Sequence, residues 1–353
     1  MSNIKSIKIK ISNIYYFYIL FFLLIITAAY HYSILLPIFN DYSMSKTFST
    51  IANIHDHLVY YKRFNELEYY NFSIYSYFDN TTGISLLYYY ACSPFKECNF
   101  HIIPLYLNIL VICLMSIISL RITTKYFLSE NLKFLFFLNF SIIYFAQLAG
   151  KDLFYSLFLY LILSAFLEKK WVQVFCYVIV CALLIRFQII ILFALLLIMN
   201  VKFMSFKLKV LVSYTFISAL GYLALNTVLG VNAELGTGIS NYVRTVNNNI
   251  YIGNFLLNPL RVLQYVIELI TVPFTSLYPD IRFSELFVSG FTAYILLNFK
   301  KLPRLFDLSN NPFSVYFVCL LFTLLVTPIV NLRYFILIIP FLILAINYPK
   351  KYF

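Results

Sequence analysis

Apolar residues fall in long blocks along this chain, and short polar clusters separate them. The first block runs Ile14–Pro37 and follows Lys5, Lys8 and Lys10. Others lie near 102–120, 133–149, 152–167, 171–185, 187–200, 210–230, 284–299, 312–330 and 334–348. A helix that crosses the hydrocarbon core needs about 20 such residues. The pattern therefore predicts an all-α, polytopic membrane protein of about ten transmembrane helices. It forms a single multispan domain over 1–353, with two structured outer loops at 38–101 and 231–283. Thr27-Ala28-Ala29 offers a signal-peptide alternative for the first block, but the apolar run continues well past those small residues. Short blocks imply tilt, local thinning or ends that lie elsewhere than the apolar run suggests. The stretch 171–200 is split at Arg186, because one long helix could not keep Lys169 and Lys202 on the same side.

The loops carry a second pattern. Ile51, Ile54, Leu58 and Tyr61 recur at helical spacing, so an amphipathic helix is expected in the first loop. Asp56, Tyr60 and Arg63 then share the opposite face, placing a carboxylate, a phenol and a guanidinium together. His55 and His57 flank the carboxylate. Such a face suits a general base beside an anion-binding group, or simply a solvated interfacial helix. Asp41, just after the first span, is a second candidate carboxylate. Two histidines at i and i+2 do not share a helix face, and no third ligand has a diagnostic spacing, so no metal is expected. In the second loop, Asn258-Pro259 reads as an N-cap and first turn, with Pro273 ending the run. Arg261, Gln264 and Glu268 form its polar stripe. A helix of about 14 residues is roughly 21 Å long, too short to span, so a re-entrant or interfacial segment is expected.

Composition agrees with the blocks. Of the 353 residues 62% are hydrophobic and 11% charged, with a mean hydropathy of +0.84; soluble domains carry roughly 25% charge. A large soluble domain is excluded. The net charge of +12 suggests nucleic acid only until its placement is read. With ten spans and both termini inside, the inner segments hold sixteen basic and three acidic residues, the outer ones ten and eleven. This is the positive-inside bias, and no nucleic-acid motif accompanies it. Lysine and arginine also separate. Fourteen of eighteen lysines are inner, while six of eight arginines are outer: Arg63, Arg186, Arg244, Arg261, Arg282 and Arg333. The guanidinium fork suits phosphate oxygens. Converging arginines at an outer edge would clamp a lipid diphosphate without a cofactor; taken singly, each could equally snorkel or pair with a carboxylate.

Cys113, Cys176, Cys181 and Cys319 lie in apolar blocks and read as packing residues. Cys92 and Cys98 bracket a short outer segment and could form a small-loop disulfide in an oxidising compartment.

Several segments carry a resemblance: Asp56-x3-Tyr60-x3-Phe64, Gly83-Ile84-Ser85-Leu86-Leu87-Tyr88, Lys151-Asp152 opening a span, Leu184-Ile185-Arg186-Phe187-Gln188, and Asn331-Leu332-Arg333-Tyr334-Phe335. Together they resemble the EpsG-like members of the Wzy-type polymerases of O-antigen and capsular polysaccharide, through layout over most of the chain rather than a strict motif. Ten spans is low for those polymerases, and the layout also looks like the wider class of multispan lipid-linked sugar transferases. The resemblance implies a polyprenyl-diphosphate-linked oligosaccharide as donor and a sugar hydroxyl of a second lipid-linked repeat unit as attacking group. It implies a bacterial cytoplasmic (inner) membrane location with a periplasmic or extracellular active face. Membrane lipids, a chain-length regulator and a flippase would be its partners. Arg186, Arg244, Arg261 and Arg333, with Arg63 and Arg282, would hold the diphosphate. Asp56, His57 or Asp41 would accept the proton, and Tyr60 and Tyr61 would stack on sugar. The competing readings are a single-sugar transferase using a polyprenyl monophosphate, a lipid-oligosaccharide flippase, and a non-enzymatic scaffold.

Overall fold

The structure, a computed structural model, describes residues 11–40, 54–67, 82–95, 98–127, 130–138, 141–227, 246, 252–275, 289–326 and 337–349. Among these every regular element is helical. In chain order they are α1 (Ile11–Tyr30), a π-helical turn (His31–Leu35), α2 (Leu36–Asn40), α3 (Ile54–Leu67) and α4 (Thr82–Cys92). Next come α5 (Ile103–Tyr126), a 3-10 segment (Glu130–Leu138), α6 (Ser141–Ala146), α7 (Asp152–Leu167), α8 (Trp171–Leu184), α9 (Ile189–Asn200) and α10 (Phe206–Thr227). The series ends with α11 (Gly253–Thr275), α12 (Ser289–Leu297), a 3-10 segment (Phe299–Phe306), α13 (Pro312–Val326) and α14 (Ile339–Asn347). Two stretches are long and apolar enough to cross a membrane, Asn13–Asn40 and Ile103–Tyr126; α7, α8, α9 and α13 are shorter apolar helices.

Helix α7 is the centre of the packing. Leu159, Ile162 and Leu163 are fully buried, and α5 and α8 flank the helix. The Tyr316 hydroxyl of α13 donates to the Leu159 carbonyl at 2.7 Å. The split of 171–200 is present: α8 and α9 are separate helices, and Arg186 lies in the turn between them.

Two expectations need correcting. The block 133–149 is not one helix. A nine-residue 3-10 segment precedes the short α6. The end of α6 is held by a side chain: the buried Asn108 amide donates to the carbonyls of Phe145, Ala146 and Leu148 at 3.3, 3.1 and 3.0 Å. Carbonyls that a continuous helix would satisfy itself are satisfied by Asn108 instead.

Helix α11 has 23 residues rather than about 14, or roughly 34 Å, so the length argument against a span does not hold. Pro259 is interior to it. Proline has no N–H for the carbonyl four residues earlier, and that carbonyl, Phe255, accepts a hydrogen bond from the Tyr214 hydroxyl of α10. Asn258 is therefore not a cap. Its amide donates to Ser218 Oγ at 3.2 Å, and its Oδ1 accepts from Arg261. The buried stripe of α11 is Asn254, Asn258, Arg261 and Tyr265, while Phe255, Leu256, Leu260, Leu263, Val266, Ile267 and Ile270 are exposed. This polarity is the inverse of a water-facing amphipathic helix.

Charges sort to two ends of the bundle. At the end where α5 and α7 finish, Glu168 is gripped by Arg121, Lys125 and Lys170 at 2.9, 3.0 and 2.7 Å. Hydrogen bonds from Lys170 and Lys125 pull the Glu168 carboxyl down to about 2. Lys169 beside it has φ 56°. The Lys170 and Lys169 amides bond back to the Ala165 and Phe166 carbonyls, which is the Schellman pattern in which glycine usually occupies the left-handed position. A lysine there costs about 1 kcal/mol.

Candidate functional site

At the other end of the bundle the turns Gln147–Asp152 and Ile185–Gln188 meet α3 and α4. Asp152, the first residue of α7, is 2% exposed on its side chain, and its Oδ1 accepts from Arg186 Nη2 at 3.0 Å. The guanidinium lies 5.1 Å from the centre of the Tyr155 ring. The pair thus has a carboxylate at a helix N-terminus, where the dipole favours it, and a cation resting on an aromatic face.

Helix α4 is pinned to this pair through both turns. The Tyr88 hydroxyl donates to the Gly150 carbonyl at 3.2 Å and accepts from the Gly150 amide at 3.1 Å. Burial pushes this phenol well up, so it stays protonated. Gly83 packs against the backbone of α8, and an added Cβ would stand 2.2 Å from the Leu184 carbonyl oxygen. Gly83→Ala must therefore displace one helix from the other and should cost about 1–3 kcal/mol. Gly150→Ala, with nothing within 4 Å of the added carbon, serves as the control. Paired melting curves should show a clear drop for the first and almost none for the second.

Helix α3 arrives through histidine. His57 is fully buried. Its Nδ1 accepts the Ala149 amide at 2.9 Å, and its Nε2 lies 3.0 Å from His101 Nδ1. Because Nδ1 accepts, the His57 proton is on Nε2 and donates to His101, whose own proton is then on Nε2. Phe39 stacks on His57 at 4.1 Å and on His101 at 5.5 Å. Burial, then the neighbouring His101, holds His57 well below the ordinary histidine value; burial also lowers His101. His31, in the π-helical turn, completes the group. Its Nε2 donates to the His101 carbonyl at 3.0 Å, and its Nδ1 lies 3.1 Å from Gln147 Oε1. Pro37 follows that turn; it lacks the N–H a regular helix would use there, which accounts for the widened winding.

This geometry revises the expected faces. Among the described side chains of α3, His57, Tyr60, Phe64 and Leu67 are buried, while Leu58 and Tyr61 are half-buried at the margin of the same packed face. The His57 hydrogen bonds fix that rotation. Tyr60, expected on the polar face to meet sugar, is 4% exposed and belongs to the core. Tyr61 packs on Phe100 and His101 at 5.3 and 4.9 Å. His57 has both ring nitrogens engaged, so in this arrangement it has no lone pair with which to act as a base. Arg63 is half-buried and pairs with Glu66 at 3.0 Å. Arg261, fully buried, donates to Asn258 and at 2.7 Å to the Leu325 carbonyl. It thereby closes the C-terminal end of α13, where a cation is favoured. Asp56 lies in α3, but its side chain is outside the described residues, as are Asp41, Arg244, Arg282 and Arg333.

No family model, curated protein or solved structure matches this chain. The site therefore stands on its own geometry. Four segments quoted for the resemblance, those containing Asp56, Gly83, Lys151 and Arg186, meet at this end of the bundle through the contacts above.

His31, His101 and Gln147 were missed. A signal for them exists: all four histidines of the chain fall within residues 31–101, in or beside the first polar loop. Cys92 and Cys98, at the far end of α4, are joined, with Cα atoms 5.4 Å apart.

Proposed function

We propose that the chain is a polytopic membrane enzyme that polymerises polyprenyl-diphosphate-linked oligosaccharide repeat units at the outer face of a bacterial cytoplasmic membrane. About ten spans with both termini cytoplasmic put the Arg186 end outside and the Lys169 end inside. Support for the membrane setting comes from α11, with polar side chains inward and a continuous apolar face outward, an arrangement suited to lipid. Support for the outer site comes from one observation above the others. Segments far apart in sequence, two of them from the long polar loop, converge around a buried guanidinium–carboxylate pair at a single end of the bundle.

In this reading a hydroxyl of one lipid-linked repeat unit attacks the anomeric carbon of another. The new glycosidic C–O bond forms as the bond from that carbon to the diphosphate oxygen breaks, and polyprenyl diphosphate leaves as an anion. Asp56 takes the hydroxyl proton, with Asp41 as the second candidate. Arg63, with Arg244, Arg282 and Arg333, neutralises the leaving diphosphate. Arg186 and Arg261 are positioning residues, committed to Asp152 and to the end of α13.

Gene deletion followed by electrophoresis of the surface glycan tests the reading. A null strain should retain one repeat unit on its acceptor and lose the ladder, and Asp56→Asn at normal protein level should reproduce that phenotype. An unchanged ladder would reject the proposal. A lipid-oligosaccharide flippase is the second reading, favoured by the 3-10 winding of Glu130–Leu138 at the start of an apolar block, since transporters use interrupted helices; it predicts loss of the glycan altogether.

A further inference from the structure

A cavity of about 430 Å³ lies at the opposite end of the bundle, between the ends of α5, α7 and α9 and the starts of α8, α10 and α13. Its volume is within the range of small-ligand sites. Lys169 and Lys209 line it, with Trp171 and Phe206 on the apolar wall and Asn200 and Asn310 among the polar groups. None of its lining residues is acidic. The nearest carboxylate by sequence, Glu168, is already shared by Arg121, Lys125 and Lys170. Asp307 borders the cavity, next to the lining residue Leu308, and accepts a hydrogen bond from Asn310 at 3.1 Å; Arg304 is three residues before it. Positive charge is therefore in excess around an opening whose wall is aromatic and aliphatic. Lys169 occupies a left-handed backbone position where glycine would be relaxed, so the chain keeps a cation there against its local preference.

We infer that this cavity binds the phosphate headgroup of an anionic glycerophospholipid, with Lys169 and Lys209 meeting the phosphate and the wall of Trp171 and Phe206 taking the adjoining apolar chain. Lysine recognises phosphate as a compact point charge, and basic pockets between helices on the inner side of a membrane suit anionic headgroups. The inference rests on the membrane reading and not on the chemistry assigned to the other end.

The chain contains one tryptophan, and it lines the cavity, so its fluorescence reports the site directly. Full-length protein is reconstituted in phosphatidylcholine vesicles and checked by flotation. It is then titrated with phosphatidylglycerol or phosphatidylcholine brominated on the acyl chain. Brominated phosphatidylglycerol should quench Trp171 at a mole fraction at least fivefold lower than brominated phosphatidylcholine. Lys169→Gln with Lys209→Gln should abolish the difference. Lys169→Gly guards against misfolding, because it relaxes the backbone; it should melt no lower than the parent and still lose most of the preference. Equal quenching by the two lipids, or a preference that survives both variants, overturns the inference. Displacement of the brominated lipid by millimolar inorganic phosphate would overturn the lipid assignment in favour of a soluble phosphate ligand. Failure to float would instead count against the membrane reading.

Discussion

Asp152→Ala is expected to be among the most damaging single substitutions at the Arg186 end, costing about 3–5 kcal/mol. The carboxylate is almost wholly buried and Arg186 little more exposed. Removing the acid leaves the guanidinium over the Tyr155 ring, out of water and without the 3.0 Å carboxylate bond. A buried cation that loses its carboxylate retains its desolvation penalty. The penalty disappears when the cation is removed too, so Asp152→Ala combined with Arg186→Met should be more stable than Asp152→Ala alone. Arg186→Lys keeps the charge but not the planar fork and should fall between wild type and the acid deletion. Thermal unfolding of the four proteins in one detergent decides the matter. A single mutant that melts with wild type would show that the pair bears no load, and a double mutant worse than Asp152→Ala would show that the charge is not the cause.

The second large effect is with pH. His57 is neutral in the fold because its Nδ1 accepts the Ala149 amide and its Nε2–H serves His101, and its folded value lies well below the ordinary one. The unfolded chain binds a proton on this ring near pH 6.5, while the folded chain does not. The unfolded state therefore holds more protons below that pH, and stability must fall as pH falls. The contribution is complete above about 6.5 and declines by about 1.4 kcal/mol for each unit between there and the folded value. Protonation would also turn the Ala149 acceptor into a donor facing a donor, detaching α3 from the turn that leads to Asp152. Wild type should thus lose melting temperature steeply from pH 6.5 to 5. His57→Gln, which can still accept the amide but does not titrate, should be less stable at pH 7.5 and flatter with pH. Parallel pH profiles for the two proteins would sink this account.

The contrast between these groups shows what the sequence made legible. Arg186 could be placed at a turn because two lysines, Lys169 and Lys202, needed one side, and a charge count is a local reading. Its partner Asp152 is 34 residues away, and no local pattern names it as the partner. The helix 54–67 was visible from its periodicity, but its rotation was not. Leu58 and Tyr61 looked like the centre of the buried face, and both do pack on the core, yet hydrogen bonds between His57 and residues 44 and 92 positions away centre that face on His57, Tyr60 and Phe64. Arg261 read as one more outer arginine, because nothing near it in sequence names Leu325 as its acceptor. Periodicity reports which residues can share a face. Buried polar side chains then choose the face, and their partners are distant in the chain.

The bond between Tyr214 and Phe255 has an evolutionary consequence. A hydroxyl on one helix supplies what a proline on another has removed, so positions 214 and 259 are answerable to each other. A lineage that replaces Pro259 with an ordinary residue regains the backbone donor and no longer has this use for the tyrosine hydroxyl. A lineage that loses the hydroxyl first leaves a carbonyl without its donor. Change should therefore enter at 259 before 214, and relatives of this chain should carry proline with tyrosine, or neither, far more often than proline alone.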